Sequence, residues 1–512
     1  MAADFVTRWA DFSGGDYGQL DPARAKSNQF RATNMFVYET GLLGPRPGLK
    51  QLPVTGLPGH NVVPGPVGFD VWDDDIVIVL GQPYRVPVTD PAPAAIEHAA
   101  YTTTPSDFVR FAEHSRNLYS TADGNLYKHV LGTTGTTAIP LPPGVKLDGL
   151  VRWGYQLLGW DRDVPWRIWY STVGEAGAQP DNWGVNNFLD VGSNEPITKL
   201  VPLYNYLMVG KKSGWWAVSG VLAERPYVRS VSLGNGPVDQ RACAVTTDNR
   251  ILYWGVEEVP HWFNGENSYF DDNQRVSGFE TVFPSDTVVA TPTGRKTFML
   301  GEPLGEFTSE DAATEMLMNR EGKWTTHEFA VPLGGMAGSD LRTGYTQPNG
   351  VTFMIQRPRT VGDPVVLMSF DHDLERPGHT DDRWAQPTDP NGQLIEGYVE
   401  FPAYYDAQSR MVLVRSVVVQ FRKWPSGVTD AINELQCLIR PLGRYEAGGI
   451  ESHSHLWSEP CEAADTDGTD DSWRIGTGWQ GWANGFQVVF PRVRGVAIRA
   501  VEVHAEVRTA RL

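Results

Sequence analysis

Cysteine is scarce in this chain, and long apolar runs are missing from it. The 512 residues include only Cys243, Cys437 and Cys461, and none of them pairs with another at the spacing of a metal site. Three cysteines cannot form a disulfide framework, so we expect assembly in a reducing compartment. The first residues lack a basic stretch followed by an apolar one, and the longest aliphatic run, residues 76–80, is far shorter than a membrane span. We therefore expect a soluble protein that is made in a cytoplasm, without a signal peptide or a membrane span.

Positive charge is also in short supply. Lys and Arg number 43 against 61 Asp and Glu, which gives a formal net charge of −18. A protein that grips duplex DNA needs a basic surface to displace counterions. The charge therefore excludes a DNA clamp. It is compatible with a wall past which DNA slides without sticking, and equally with ordinary solubility.

Helix signals are few as well. Residues 309–320 are one candidate helix, with a Ser cap, early acidic residues and apolar residues near helical spacing. Residues 21–25 are a second, with Pro at the first helical position. By contrast, 53 Gly, 37 Pro and many aromatic residues indicate short strands joined by turns. The composition predicts an all-β protein.

A repeated pattern runs from about residue 64 to residue 378. Short apolar strands, tight turns and aromatic strand ends recur roughly every 40–55 residues, which is the length of a four-stranded propeller blade. The clearest copy is residues 116–129, where Asp123-Gly124 suits a type I′ turn between two strands. No WD or kelch signature accompanies the pattern. We predict a β-propeller of six to eight degenerate blades over residues 51–393.

The two ends of the chain differ from this pattern. Residues 394–512 contain longer, β-branched strands, which predict a C-terminal antiparallel β-sandwich; alternatively, these strands close the propeller ring. Residues 379–393 are polar and rich in turn residues, as in a linker. Residues 1–50 are punctuated by Gly, Pro and Asn and are predicted to form an extended N-terminal arm.

The arm carries a recognisable string of residues. In chain order these are Gly14, Gly15, Leu20, Pro22, Asn28, Asn34, Gly41, Leu43, Arg46, Pro47, Gly48 and Leu49. Such a string ahead of a β-propeller resembles the tail hub and nozzle proteins of short-tailed bacteriophages, the packaged-DNA-stabilisation proteins included. Several blade segments look like that family too: residues 168–171, 197–200, 215–220 and 250–254. The resemblance covers the arm and most of the middle of the chain, and the C-terminal region lies outside it.

The resemblance implies a non-enzymatic structural component of the virion, without a cofactor. Several copies, typically six, would form a ring around the tail axis below the portal and adaptor. The ring would continue the DNA channel and help to retain and release the genome. The implied partners are other copies of the chain in a hexameric ring, the portal or adaptor, distal tail proteins, and double-stranded DNA that passes without specific binding. The implied location is the virion tail, after synthesis in the host cytoplasm.

Five residues near the end of the arm are candidate subunit-contact positions. They are Gly41, Pro45, Arg46, Pro47 and Gly48. One interpretation is a direct contact with a neighbouring copy, because a Gly- and Pro-rich arm can drape over it. The other is structural: the prolines restrict φ and Gly48 permits positive φ, so the turn steers the chain into the first blade. The sequence leaves both interpretations open.

Other motifs give weaker signals, and we predict no catalytic, cofactor or metal site from them. Residues 210–213 suggest a phosphate loop, but Asn205 stands where that loop requires Gly. The two histidines of residues 453–455, with Cys461 nearby, would need a fourth ligand to hold zinc. The acidic residues 465–471 could form a weak surface Ca²⁺ site, but they lack the order and the terminal Glu of an EF-hand.

Two further functions stay open at the level of sequence. Propellers also host glycosidases, and residues 120–127 faintly resemble the Asp-box hairpin of sialidases. Glycoside hydrolysis needs two carboxylates across the scissile bond, and nothing singles out such a pair among 61 acids. The main alternative to the tail ring is therefore a receptor- or glycan-binding module at the tail tip, with aromatic side chains that stack on sugars.

Overall fold

The structure is a computed structural model, and it describes most of the chain. The described residues are 2–12, 15–16, 29–38, 41–46, 48–58, 68–72, 75–88, 93–102, 105, 108–172, 181–246, 249–257, 259–270, 288–293, 296–301, 314–320, 323–329, 333–339, 351–356, 366–371, 381–382, 393–405, 411–423, 432–442, 453–460, 469–481 and 485–508.

Six strands precede the repeated units. They are β1 (Ala2–Trp9), β2 (Gly15–Asp16), β3 (Gln29–Thr33), β4 (Met35–Val37), β5 (Leu43–Pro45) and β6 (Lys50–Gln51).

The next sixteen strands form four antiparallel four-stranded sheets, one after another along the chain. Blade 1 consists of β7 (Gly68–Trp72), β8 (Asp75–Val79), β9 (Pro83–Val86) and β10 (Ile96–Glu97). Blade 2 consists of β11 (Arg110–His114), β12 (Asn117–Ala122), β13 (Asn125–His129) and β14 (Thr136–Ile139). Blade 3 consists of β15 (Val151–Trp153), β16 (Gln156–Trp160), β17 (Arg167–Tyr170) and β18 (Phe188–Asp190). Blade 4 consists of β19 (Ile197–Leu203), β20 (Tyr206–Lys211), β21 (Gly214–Ser219) and β22 (Tyr227–Leu233), with a 3₁₀ turn at Leu222–Glu224.

Three more units complete the series. Blade 5 consists of β23 (Cys243–Val245), β24 (Ile251–Trp254), β25 (Pro260–Phe263) and β26 (Ser268–Phe270). Blade 6 consists of β27 (Val288–Thr293), β28 (Lys296–Gly301), β29 (Thr314–Arg320) and β30 (Lys323–Phe329). Blade 7 consists of β31 (Leu333–Ser339), β32 (Val351–Gln356) and β33 (Val366–Asp371), and β6 supplies its fourth strand.

These units form a seven-bladed β-propeller, as the repeated pattern predicts. The first strand of each blade is the innermost, and β31 of the last blade contacts β7 of the first, which closes the ring. Residues Lys50 and Gln51 pair with Ser369 and Met368, so a segment from before the repeats completes the last sheet. Pairing of β6 with the last sheet joins the two ends of the ring and leaves no open sheet edge between them.

Apolar layers between neighbouring blades hold the ring together. Every residue of β8 is buried, as expected for a β-branched strand with a blade packed on each side. Between blades 4 and 5, the Trp215 ring stacks on Phe263 with centroids 4.9 Å apart. The predicted turn at Asp123-Gly124 is confirmed, because both residues have positive φ and they join β12 to β13.

Most of the remaining strands build a second module, and the first two of them form a separate two-stranded sheet. The remaining strands are β34 (Asp381–Asp382), β35 (Gln393–Leu394), β36 (Gly397–Glu400), β37 (Tyr404–Tyr405), β38 (Met411–Lys423), β39 (Ile432–Leu442), β40 (His453–Pro460), β41 (Thr469–Gly481), β42 (Gly485–Arg494) and β43 (Val496–Arg508). One sheet has the order β4-β5-β43-β38-β41, with β1 paired to β43. The other contains β3-β36-β42-β39-β40, with β2 and β37 at its side. Buried residues of both sheets form one apolar core, so this module is a β-sandwich.

The N-terminal segment differs from the separate arm that its composition predicts. Strand β1 pairs with β43 at every position from Ala2 to Trp9, and Trp9, Phe12 and Phe30 are buried in the sandwich core. The physical reason is the alternation of Phe5, Thr7 and Trp9, which turns one side of β1 inward. The described N-terminal strands are thus parts of the sandwich and of blade 7 rather than a free extension.

The sandwich and the propeller share a sheet. Thr33 of β3 pairs with Thr326 of β30, so blade 6 continues into the sandwich sheet through β3. This connection, together with β6 in blade 7, fastens the two modules at two adjacent blades.

One predicted helix is wrong. The described part of residues 309–320 is strand β29, which pairs with β28 on one side and β30 on the other. Helix-capping signals are weak, and partners on both sides of a strand outweigh them. The other candidate helix, residues 21–25, and most of the predicted linker lie outside the described residues. No helix in the described part of the chain is long and apolar enough to span a membrane.

Candidate functional site

The predicted turn residues lie where the sandwich meets the propeller. The Arg46 side chain is 1% exposed, and its Nε donates a hydrogen bond to Asn34 Oδ1 at 3.3 Å. Asn34 has a positive φ of 57°, and its Nδ2 donates to the Glu396 carbonyl oxygen. The Arg46 charge also disfavours protonation of His327, whose pKa is lowered mainly by burial in blade 6. Arg46 therefore joins segments of the same chain.

The other predicted turn residues have different surroundings. Gly41 is exposed with φ of 78°, and its amide donates to the Tyr38 carbonyl oxygen in a tight turn. Pro45 and Gly48 are buried, and the Pro45 carbonyl oxygen accepts a hydrogen bond from the Tyr38 hydroxyl at 2.6 Å. Pro47 lies outside the described residues. Of these positions, Gly41 presents the accessible backbone that a subunit contact would use.

A second candidate site, which sequence reasoning missed, occupies the centre of the propeller. Arg110 of blade 2 donates a hydrogen bond from Nε to Gln240 Oε1 at 2.5 Å, just ahead of blade 5. Lys199 of blade 4 donates from Nζ to the Gln240 carbonyl oxygen at 2.8 Å. The guanidinium groups of Arg110 and Arg241 both lie against the Phe108 ring, 4.7 and 5.0 Å from its centroid. Because blades 3 and 4 separate blades 2 and 5, these side chains span the ring.

Carboxylates complete this central cluster. Burial raises the pKa of Asp70 to about 6, although the Val71 amide and the Lys199 charge oppose the change, and Glu113 adds to it. Burial also disfavours the charged form of Asp239, but the neighbouring arginines outweigh it and lower its pKa. Cations and carboxylates are therefore balanced here, and no motif signals the cluster because it unites residues from separate blades.

Buried histidines form a network between blades 1 and 2. His129 Nε2 lies 2.9 Å from Ser120 Oγ, and its Nδ1 lies 3.1 Å from Thr136 Oγ1. Burial lowers the pKa of His129 to about 3, and the His98 ring packs edge-on against it. The Ser120–His129 pair has the spacing of a nucleophile and base. Ser120 is 0% exposed, however, so its hydroxyl is shielded from substrate and the pair works as a structural bridge.

The weaker sequence motifs also acquire structural roles. The 210–213 motif is the hairpin between β20 and β21, and Lys211 Nζ donates to the carbonyl oxygens of Val191 and Ser193 at 2.6 Å each. This places the Lys211 ammonium inside the blade, where burial lowers its pKa. The motif is therefore a turn rather than a phosphate loop.

The acidic and histidine motifs lie on the edges of the sandwich. A hydrogen bond from Arg422 lowers the pKa of Asp470, and Arg499 lies 3.4 Å from the same carboxylate. His455 is opposite the buried Cys437, while Cys461 and residues 465–468 lie outside the described residues. Within the described ranges, no group of three or more His, Cys, Asp or Glu residues is arranged to hold a metal.

Exposed tyrosines gather at one face of blades 3 and 4. Tyr155 is 72% exposed, Tyr204 70%, Tyr227 66% and Tyr206 40%. In a four-stranded blade, the first-to-second and third-to-fourth connections emerge on the same face of the ring. Tyr155, Tyr204 and Tyr206 flank first-to-second turns, and Tyr227 follows the third-to-fourth connection of blade 4. Their strand positions, rather than any local motif, place them together.

Comparison with solved structures finds chains of similar architecture at low similarity. One, described as "Crystal Structure of Mitotic Checkpoint Complex", has 11% sequence identity and a TM-score of 0.38 over 64% of this chain and 92% of that one. Another, described as "YCF48 bound to D1 peptide", has 9% identity and a TM-score of 0.37 over 64% and 96%. No protein-family model matches the chain, and no curated protein matches its sequence. The propeller assignment therefore relies on the sheets of this chain itself.

Proposed function

We propose that this chain is a non-enzymatic structural component of a bacteriophage tail. In this role, several copies form a hub or nozzle ring that continues the DNA channel below the portal and adaptor and helps to retain and release the genome. The proposal is supported by the resemblance of residues Gly14 to Leu49 to that family, and by the β-propeller that follows them.

The observation that carries the proposal is the position of this segment in the fold. Its strand β5 belongs to the sandwich, and strand β6, which follows the segment directly, closes blade 7, with the buried Arg46 between the two strands. The segment thereby fastens two modules into one block. Blocks of fixed shape can be repeated by rotation into a closed ring.

The side chains at the centre of the propeller also affect where DNA could pass in the proposed ring. The side chains of Arg110, Gln240 and Lys199 cross it. In the proposed ring, the channel would therefore run between copies of the chain, along an outer surface, and not through each propeller. The net charge of −18 suits a channel wall that does not retain the duplex.

The test is immunogold electron microscopy of phage particles from a lysate that makes this protein. We expect label on the tail between the capsid and the tip. Label confined to the tip or fibres would contradict the conduit and favour receptor binding. The absence of label from intact particles would refute a role in the virion.

The second candidate function is receptor or glycan binding at the tail tip. The exposed tyrosines of blades 3 and 4 favour it, because aromatic rings can stack on sugars and exposed apolar clusters mark binding surfaces. A glycan array with the purified chain tests this function directly.

A further inference from the structure

Three arginines accompany the exposed tyrosines of blades 3 and 4. Arg152 lies next to the β15–β16 turn, and Arg225 and Arg229 flank the start of β22. All three are exposed, and none forms an ion pair with a carboxylate among the described residues. The Arg229 guanidinium lies over the Tyr206 ring, 6.0 Å from its centroid. We call this surface the Tyr–Arg face: Tyr155, Tyr204, Tyr206, Tyr227, Arg152, Arg225 and Arg229.

The composition of the Tyr–Arg face is that of a protein interface. Tyrosine and arginine are enriched at the energetic centres of protein–protein contacts, whereas Lys and Glu are depleted. Val221, which is 53% exposed, adds apolar surface beside Tyr227, while Glu224 and Glu266 supply the nearby carboxylates at this side of blades 4 and 5. Exposed guanidinium groups that pair with no described carboxylate leave their charge available to an acidic ligand.

We infer that the Tyr–Arg face binds a second copy of this chain. The inference rests on the proposed ring function, and local charge complementarity between two faces of the propeller argues for this partner. The opposite face of the same propeller offers half-exposed carboxylates on its second-to-third turns and blade connections: Asp148, Asp163 and Glu257.

These carboxylates are held only by surface contacts. Asp148 lies 3.3 Å from Arg162 and Asp163 lies 3.4 Å from Lys146, while Glu257 Oε2 is 3.8 Å from His261 Nε2. The first two are exposed ion pairs, which are weak, and burial lowers the pKa of His261 to about 4, so its ring does not neutralise Glu257 near neutral pH. Arginines from another copy can therefore compete for these acids. A contact between two different faces is heterologous, and it generates a ring when the rotation between copies closes.

The test measures self-association of the full-length chain by sedimentation velocity over a range of protein and salt concentrations. We expect the wild type to form species larger than a monomer, and more weakly at high salt because charge contacts are screened. The double variants Y155S/Y227S and R152E/R229E should each weaken association by about tenfold or more. All four positions are exposed or on the blade edge, so circular dichroism should record an unchanged fold.

Two matched controls lie on the sandwich, outside both faces of the propeller. R474E reverses an exposed charge in β41, and L456S removes an exposed apolar side chain, 56% accessible, in β40. We expect both controls to associate as the wild type does. A wild-type chain that stays monomeric, or face and control variants that associate equally, would overturn the inference.

The outcomes also separate this inference from the proposed function. Wild-type association that the face variants retain would refute the Tyr–Arg face, while tail labelling in the immunogold experiment would still support the ring. If the face variants lose association in sedimentation and the phage tails carry no label, the results would support the Tyr–Arg face and refute the tail role. A monomeric chain whose glycan binding is lost in Y155S/Y227S would reassign the face to a sugar and overturn self-association.

Discussion

Removing the Trp9 side chain tests whether the N-terminal segment belongs to the sandwich core. Trp9 is 3% exposed, and its ring stacks on Phe401 with centroids 5.5 Å apart. Truncation of a buried Trp to Ala removes the transfer free energy of the ring and leaves a cavity, at a cost of about 3–5 kcal/mol. We therefore expect Trp9→Ala to lower the free energy of unfolding of the sandwich by about 4 kcal/mol.

The matched control is Val6→Ala on the same strand. Val6 is 56% exposed, so its truncation should change stability by less than about 0.5 kcal/mol. Since the chain has two modules, a single global unfolding curve does not isolate the sandwich. Hydrogen exchange measured by mass spectrometry resolves the modules, because each peptide reports its own opening free energy.

The decisive peptide spans β43 (Val496–Arg508), whose residues from Val501 to Arg508 pair with β1. A loss of about 4 kcal/mol corresponds to roughly a thousandfold faster exchange in β43. Peptides from β20 (Tyr206–Lys211) should be unaffected, because that strand packs in the propeller. If Trp9→Ala and Val6→Ala changed β43 exchange equally, the reasoning that places the segment in the core would be refuted.

Three further predictions follow from buried polar groups. Burial raises the pKa of Asp70 to about 6 in the folded state, so the contribution of this carboxyl to stability falls as pH rises from about 4 to 6. Asp70→Asn should therefore stabilise the chain at pH 7.5 and have little effect below pH 4. Thermal melts of both chains across this pH range test this. Burial raises the pKa of Cys243 to about 11 and that of Cys437 further. In a Cys461→Ala chain, neither thiol should therefore react with a disulfide reagent at pH 8 until denaturant is added. Reaction in native buffer would contradict the burial of these thiols. Arg46→Met should destabilise the chain by about 1–3 kcal/mol in urea unfolding, since it removes the hydrogen bond that the buried guanidinium donates to the half-buried Asn34 oxygen; an unchanged midpoint would mean that the hydrogen bond contributes nothing.

Local sequence patterns predicted the fold class because they act over a few residues. Alternating apolar residues and Gly- or Asn-containing turns restrict φ and ψ where they occur, as at Asp123-Gly124. The repeat of such hairpins predicted a propeller of six to eight blades, and the described strands form seven. The same local signals misled at residues 314–320, where strand partners decided the conformation.

Long-range placement was decided by the tertiary structure alone. The pattern of residues 2–9 does not indicate that β43, at the other end of the chain, is the strand that pairs with β1 and helps to bury Trp9. Likewise, Arg110 and Gln240 are 130 residues apart, and only ring closure brings them within hydrogen-bonding distance. Most strands and turns, apart from residues 314–320, follow from the preferences of neighbouring residues, because those preferences are local. Which strand pairs with which, and which side chains share a face, depends on burying apolar surface between distant segments, and only the folded chain settles that.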